Sequence, residues 1–173
     1  NLYASSTLCS HVLSVIPEEL HGNIVVVSPD AGGVERARLY AKKLNAGLAI
    51  IDKRRERANQ SEVMHLIGSV EGKIAVLVDD MVDTAGTLTK AAVAVKAQGA
   101  TSVYACCAHP VLSGPAVERI ANSPIEKLFV TDTIALNEKS SQSSKIEVVS
   151  VSALFADAIE AINQNLSISR LFT

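Results

Sequence analysis

In 173 residues there is no tryptophan, and there are only three tyrosines, three phenylalanines and three cysteines. Three cysteines, two of them adjacent at Cys106 and Cys107, are too few for a disulfide framework, and a reduced compartment is expected. An excess of one charge is lacking too. Sixteen Lys and Arg against eighteen Asp and Glu leave a formal charge of -2, so no global field would hold a polyphosphate backbone, and no nucleic-acid partner is expected. No apolar run approaches the ~20 residues of a membrane span, and residues 1–20 have neither the basic start nor the continuous apolar core of a secretory signal. The expectation is a protein without a membrane partner, cytoplasmic, with a plastid as the alternative compartment.

What the chain does contain is aliphatic. Apolar runs rich in Val, Ile, Leu and Ala recur at IVVVS (24–28), LAIID (48–52), IAVLVDD (74–80), SVYACCA (102–108), KLFVTD (127–132) and KIEVVSV (145–151), and read as buried strands. Helical patterns lie between most of them. Residues 33–45 put Val34, Ala37, Ala41 and Leu44 on one side and Arg36, Lys42 and Lys43 largely on another. Residues 86–98 stop at Gly99, residues 115–122 start at a proline, and residues 152–164 start with Ser152 as the expected N-cap. Alternating strands and helices in a chain of this length predict one domain, 1–173, with a doubly wound, mainly parallel α/β sheet carrying helices on both faces. RRERANQ (54–60) and NEKSSQSSK (137–145) read as exposed, mobile loops.

Three strand runs end in unusual residues. IVVVS leads into Pro29, Asp30, Ala31, Gly32 and Gly33; LAIID into Lys53, Arg54 and Arg55; IAVLV into DDMVDTAGT. In a doubly wound sheet all three ends open on one edge. Around Asp83, Thr84, Ala85, Gly86 and Thr87, backbone N–H groups, two hydroxyls and the start of the next helix suit a phosphate. Asp79 and Asp80 stand earlier, where carboxylates can accept hydrogen bonds from vicinal hydroxyls or hold Mg2+, directly or through water. A sugar phosphate needs both kinds of group.

VLVDDMVDTAGT resembles the ribose-5-phosphate signature of the type I phosphoribosyltransferase fold. Together with SPDAGG, DKRR, VLSGPAVERI, VTDT and ISRLF it resembles the C-terminal half of the ribose-phosphate pyrophosphokinase family, over essentially the whole chain. The resemblance implies transfer of a diphosphate from ATP to the C1 hydroxyl of ribose 5-phosphate, giving phosphoribosyl pyrophosphate and AMP. It implies that Asp79 and Asp80 bind the ribose hydroxyls and a magnesium ion, and that residues 83–87 hold the 5-phosphate. Asp30, Ala31, Gly32 and Gly33 would form the pyrophosphate loop, with Asp30 as a further magnesium ligand. Lys53 and Arg55 would be the catalytic cations of a mobile loop. Ser167, Ile168, Ser169 and Phe172 would belong to a regulatory site for phosphate or ADP between subunits of a homo-oligomer. In that family a second, N-terminal domain supplies most of the adenine-binding groups, so this chain alone is expected to be inactive.

Several simpler readings compete. SPDAGG and DKRR taken singly are an ordinary turn and a solvated charge run; their shared place at strand ends is what strengthens them. GSVEGKI (68–74) is no nucleotide P-loop, because its glycines are too close and it precedes a strand. Cys106 and Cys107 would point to opposite faces of a strand, which favours burial over metal binding. Two other functions share this fold and loop: a phosphoribosyltransferase that consumes phosphoribosyl pyrophosphate, and a non-catalytic regulatory subunit. The first would need a hood segment for a base, which is not evident, and the second is disfavoured by the retention of Lys53 and Arg55.

Overall fold

The apolar runs become strands because their β-branched residues can be buried on both faces. All of Ile24, Val25, Val26, Val27 and Ser28 are buried, and fully burying a Val or Ile side chain is worth about 1.5–3 kcal/mol. In a computed structural model, which describes residues 2–54 and 63–172, these strands are β1 (Ile24–Ser28), β2 (Gly47–Arg54), β3 (Val63–Ile67), β4 (Ile74–Val82), β5 (Ser102–Pro110), β6 (Lys127–Thr131) and β7 (Ile146–Val149). They form one sheet in the order β3-β2-β1-β4-β5-β6-β7. All neighbours are parallel except β2 and β3, an antiparallel pair in which Asp52 opposes His65 and Arg54 opposes Val63.

Two helical layers cover the sheet. On one face α1 (Ser5–Val15) and α2 (Val34–Lys43) bring Leu8, Val12, Ala37 and Tyr40 against Ile24, Val26, Val76, Cys106 and Phe129. On the other, α3 (Gly86–Ala97) and α4 (Ala116–Ala121) bring Leu88, Ala92, Val95 and Ile120 against Val25, Val27, Leu77, Cys107 and Leu128. The doubly wound architecture is thus observed, and the adjacent cysteines lie in different cores. Burial pushes Cys9 and Cys107 up to about 12 and raises Cys106 as well, so none of the three is a ready nucleophile.

The structure also corrects the local reading. β3 was not among the expected strands, although Met64 and Leu66 alternate with the exposed His65 and Ile67 and pack on the α3 side of the sheet. α1 was not expected because Ala4 gives it no side-chain cap. Within the supposed loop 137–145, Asn137 caps a short helix, α5 (Glu138–Ser141), by accepting the Ser140 N–H at 2.9 Å, and Ser140 is buried. The segment 55–60 of the other supposed loop lies outside the described residues. Ser152 is the first residue of α6 (Ser152–Asn163) and not its cap; Val151 holds the cap position and Ser150 Oγ accepts the Ser152 N–H at 3.2 Å. Along α6, Phe155, Ile159, Ile162 and the following Leu166 form an exposed apolar stripe.

Candidate functional site

The strand order reverses between β1 and β4: the chain runs outward from β1 to β2 on one side and from β4 to β5 on the other. Ligands in open α/β sheets bind in the crevice beyond the carboxyl ends of strands at such a point. Two connections border it here.

After β1 the chain makes a 3-10 turn at Ala31–Gly33. Asp30 Oδ1 accepts the Gly33 N–H at 2.9 Å, while Ser28 Oγ donates to the Asp30 carbonyl at 2.7 Å, so the turn is tied at both ends. Gly33 has an ordinary φ of -86° and is needed for space. A Cβ there would lie 2.9 Å from Ser28 Oγ and 3.2 Å from Arg36 Nη1.

β4 continues past the expected end at Asp80 to Val82, because Met81 and Val82 still pair with His109 and Pro110 of β5. Arg36, from the first turns of α2, reaches across and grips both carboxylates: Nη1 donates to Asp79 Oδ1 at 3.1 Å and Nη2 lies 2.9 Å from Asp80 Oδ2. Burial, aided by a hydrogen bond to Asp80, pushes the Asp79 carboxyl up to about 6. Partial burial works to raise Asp80 too, but the hydrogen bond from Asp79 and the Arg36 charge outweigh it and hold that carboxyl below its ordinary value. The two therefore titrate as a pair.

The following turn is built from backbone. Ala85 adopts a left-handed conformation, φ 59°, although it carries a Cβ, and it stands at the cap position of α3 with no side-chain cap. Such a residue costs roughly 1–3 kcal/mol unless its surroundings hold it. Thr89 does so, donating both its N–H and its hydroxyl to the Ala85 carbonyl at 3.0 and 2.8 Å. From α4, Arg119 Nη1 donates to the Thr84 carbonyl at 2.9 Å. Gly86 leaves room for that guanidinium, since a Cβ would come within 3.3 Å of Nη1. The Ser113 hydroxyl donates to Asp83 Oδ1, and the Ser113 and Leu112 N–H groups donate to the Asp83 and Val82 carbonyls at 3.0 and 2.9 Å. The uncapped first turn of α3 leaves N–H groups for an anion.

Asp30, Asp79, Asp83, Thr84, Ala85, Gly86 and Thr87 line one cavity of about 200 Å³. A larger groove of about 870 Å³ between α3 and α4 is lined by Arg119 but by none of these carboxylates, and it is an open surface. Lys53 is on β2, paired with Met64, on the strand beside β1; Arg55 lies outside the described residues. Ser167, Ile168, Ser169 and Phe172 follow α6, where the Ser167 and Ser169 hydroxyls bond at 2.7 Å; Ser167, Ile168 and Ser169 are not among the residues lining the cavity. Arg36 and Arg119 are the contributors that sequence reasoning missed. Arg36 read as one more charge on a solvated helix face, and Arg119 stands far along the chain from the turn it holds.

Among the described residues no three His, Cys, Asp or Glu side chains converge to hold a metal ion, so Asp30 does not join Asp79 and Asp80 in one cluster. Two adjacent carboxylates nevertheless fit Mg2+, which commonly takes one or two of them and completes its shell with water and substrate oxygens.

The family profile described as phosphoribosyl synthetase-associated domain matches residues 57–173. Ribose-phosphate pyrophosphokinase 1 of Listeria innocua is 57% identical over 153 residues, covering 88% of this chain and 48% of that protein. Ribose-phosphate pyrophosphokinase of Bordetella pertussis is 54% identical over 172 residues, 99% of this chain and 54% of that one. The chain spans about half the length of these curated relatives. The crystal structure of phosphoribosylpyrophosphate synthetase from Mycobacterium smegmatis matches with a TM-score of 0.82 at 32% identity, over 94% of this chain and 51% of that one. An adenine phosphoribosyltransferase from Giardia lamblia matches with a TM-score of 0.56 at 17% identity, over 73% of this chain and 76% of that one, a likeness of fold alone.

Proposed function

The chain belongs to the phosphoribosyl synthetase-associated family, and from that premise we propose that it is the half of a ribose-phosphate diphosphokinase that holds ribose 5-phosphate and the transferring diphosphate. The observation that carries this reading is the single cavity at the reversal between β1 and β4, with carboxylates on one side and an uncapped helix N-terminus on the other. An anion and a diol are recognised by opposite chemistries, and one cavity offers both.

In the full enzyme the C1 hydroxyl of ribose 5-phosphate attacks the β-phosphorus of ATP; the bond from that phosphorus to the bridging oxygen of AMP breaks, and the hydroxyl proton is lost. The N–H groups and hydroxyls of residues 83–87 would fix the 5-phosphate. Asp79 and Asp80 would orient the ribose hydroxyls and hold Mg2+. Bound Mg2+ would supply charge neutralisation on the diphosphate. The turn at 30–33 would place backbone N–H groups near the diphosphate, while Lys53 and Arg55 would meet the charge that develops on it. Positioning and charge neutralisation are the main demands of such a transfer.

Assembly into a homo-oligomer, in the cytoplasm, with phosphate or ADP acting near residues 167–172, is proposed with it. The exposed stripe on α6 supports assembly.

Calorimetric titration of the chain with ribose 5-phosphate and Mg2+ tests the binding half of the proposal, and no heat of binding would refute it. Lys53→Ala and Arg55→Ala in the full-length enzyme should leave the melting temperature alone and lower kcat by roughly 100- to 1,000-fold, the scale of lost transition-state contacts. The lone chain should make no AMP from ATP and ribose 5-phosphate. Its formation would contradict the half-enzyme reading.

A further inference from the structure

The Arg36 guanidinium stands between the two parts of the site. One side meets Asp79 and Asp80 at 3.1 and 2.9 Å. Its Nη1 also lies 3.2 Å from where a Gly33 side chain would begin, so the same cation abuts the Gly-rich turn. Arg36 is about 29% exposed, Asp79 about 19% and Asp80 about 61%, so this is a partly shielded contact that water screens on one side.

We propose that Arg36 is a resident counter-cation of the Asp79–Asp80 pair, which a divalent cation must displace, and that the displaced guanidinium is then available to an anion at the turn of residues 30–33. The inference rests on the reading of Asp79 and Asp80 as carboxylates for Mg2+. A guanidinium and a divalent cation compete for the same oxygens, Asp79 Oδ1 and Asp80 Oδ2. Two planar N–H donors spread over two side chains form a fork that a point charge cannot reproduce. While the fork is closed, one of the pair's two negative charges is offset and both facing oxygens are occupied, so the pair attracts a metal more weakly. Once it opens, the cation needs only a rotation of its own side chain to face the glycine turn. Metal on the carboxylates and anion on the turn would thus favour each other, because each removes the partner that the other must lose. Such coupling is reciprocal. A free metal ion would then be a poor ligand, and the site would fill when metal and diphosphate arrive together. Arg36 acts here as a positioning residue, through the carboxylates.

The experiment uses the whole chain and Mn2+ as the probe, with unbound metal counted by its electron paramagnetic resonance signal. Arg36→Gln should bind Mn2+ alone more tightly than the unaltered chain, by roughly tenfold. A purely structural role for Arg36 predicts the opposite, since an unclamped pair would be less ordered. Unchanged or weaker binding in a folded variant overturns the proposal. Arg36→Lys, which keeps the charge without the fork, should fall in between.

A second readout needs no folded Gln variant. The arginine Nε resonance that Arg36→Lys removes identifies Arg36 in 1H–15N spectra, and it should shift as the unaltered chain is titrated with Mg2+. A resonance that stays in place at saturation overturns displacement. Ribose 5-phosphate binding, measured in parallel, separates the two ideas. If the sugar phosphate binds but Arg36 neither shifts nor competes, only the present inference falls; if Arg36 competes with metal and the sugar phosphate does not bind, the proposed function falls instead.

Discussion

Near the end of β4, Asp79 and Asp80 are held by Arg36 from α2; in the turn that leads into α3, the Thr84 carbonyl is held by Arg119 from α4. The two arginines come from opposite faces of the sheet, since α2 packs in one core and α4 in the other. Their partners differ in kind. Arg36 bridges two carboxylates, so its end should respond to pH, salt and metal. Arg119 donates to a neutral carbonyl beside a backbone turn already braced by Thr89 and Ser113, so its end should respond mainly to shape. The stretch 79–87 therefore carries a tunable electrostatic part and a rigid part.

The sharpest way to separate the halves is to remove the hydroxyls of the rigid one. Thr84→Ala with Thr87→Ala should weaken ribose 5-phosphate binding by about 3–6 kcal/mol in total, at about 1.5–3 kcal/mol for each hydrogen bond to a charged group. Both residues are exposed, so the melting temperature should hardly move. Calorimetry showing unchanged affinity would remove the phosphate from this turn.

The tunable half should show itself in pH. Asp79 is raised from 3.8 to about 6, so across that interval the folded chain holds more protons than the unfolded one. The stability this group confers is present at low pH and lost as pH rises through about 6. Asp80, held below its ordinary value, acts in the opposite sense at lower pH. Relative to Asp79→Asn, which cannot titrate, the unaltered chain should lose up to about 3 kcal/mol between pH 4 and pH 7, less what Asp80 returns. Urea midpoints of both proteins across that range check this, and parallel curves would break the comparison.

A glycine in each half gives a smaller contrast. Gly33→Ala must push its Cβ against the fully buried Ser28 at 2.9 Å, costing about 1–3 kcal/mol. Gly86→Ala meets at 3.3 Å only the end of the Arg119 side chain, which can move, so its cost should stay within about 0.5–1 kcal/mol. Denaturant unfolding distinguishes them, and equal costs would show that the 30–33 turn is no tighter than the other. Smallest of all, Arg119→Met should weaken ribose 5-phosphate by about 1 kcal/mol, the scale of one exposed hydrogen bond, and leave Mn2+ affinity unchanged. A change in metal affinity would mean that the two clamps communicate.

Much of this was legible beforehand. The six expected strands all exist, because runs such as IVVVS and IAVLV bury both faces and leave no helical alternative of useful amphipathicity. Gly99 ends α3 with a φ of 89°, which is what a glycine after a helical stretch promises. Other features were present but faint. β3 is five residues long and half-exposed, so its alternation carries little weight against the charged stretch before it. α1 has apolar residues at helical spacing but no capping residue, and its stability comes from burying Leu8 and Val12 in the core below α2. The left-handed residue of the turn before α3 is Ala85 and not the neighbouring glycine, because Thr89 and Arg119 fix the carbonyls around it.

The sequence by itself determined which segments are buried, that strands and helices alternate, and that carboxylates, hydroxyls and a glycine turn stand at strand ends. Those are properties of neighbours in the chain, set by side-chain period and turn chemistry. Only the tertiary structure decided that β1 and β4 lie side by side although β2 and β3 separate them in sequence, which brings Asp30, Asp79 and residues 81–87 to one cavity. It also decided which arginines serve the site. Arg36 and Asp79 are 43 positions apart, and Arg119 and Thr84 are 35 apart. No local pattern encodes such pairs, because they depend on where a helix lands after the sheet has closed beneath it.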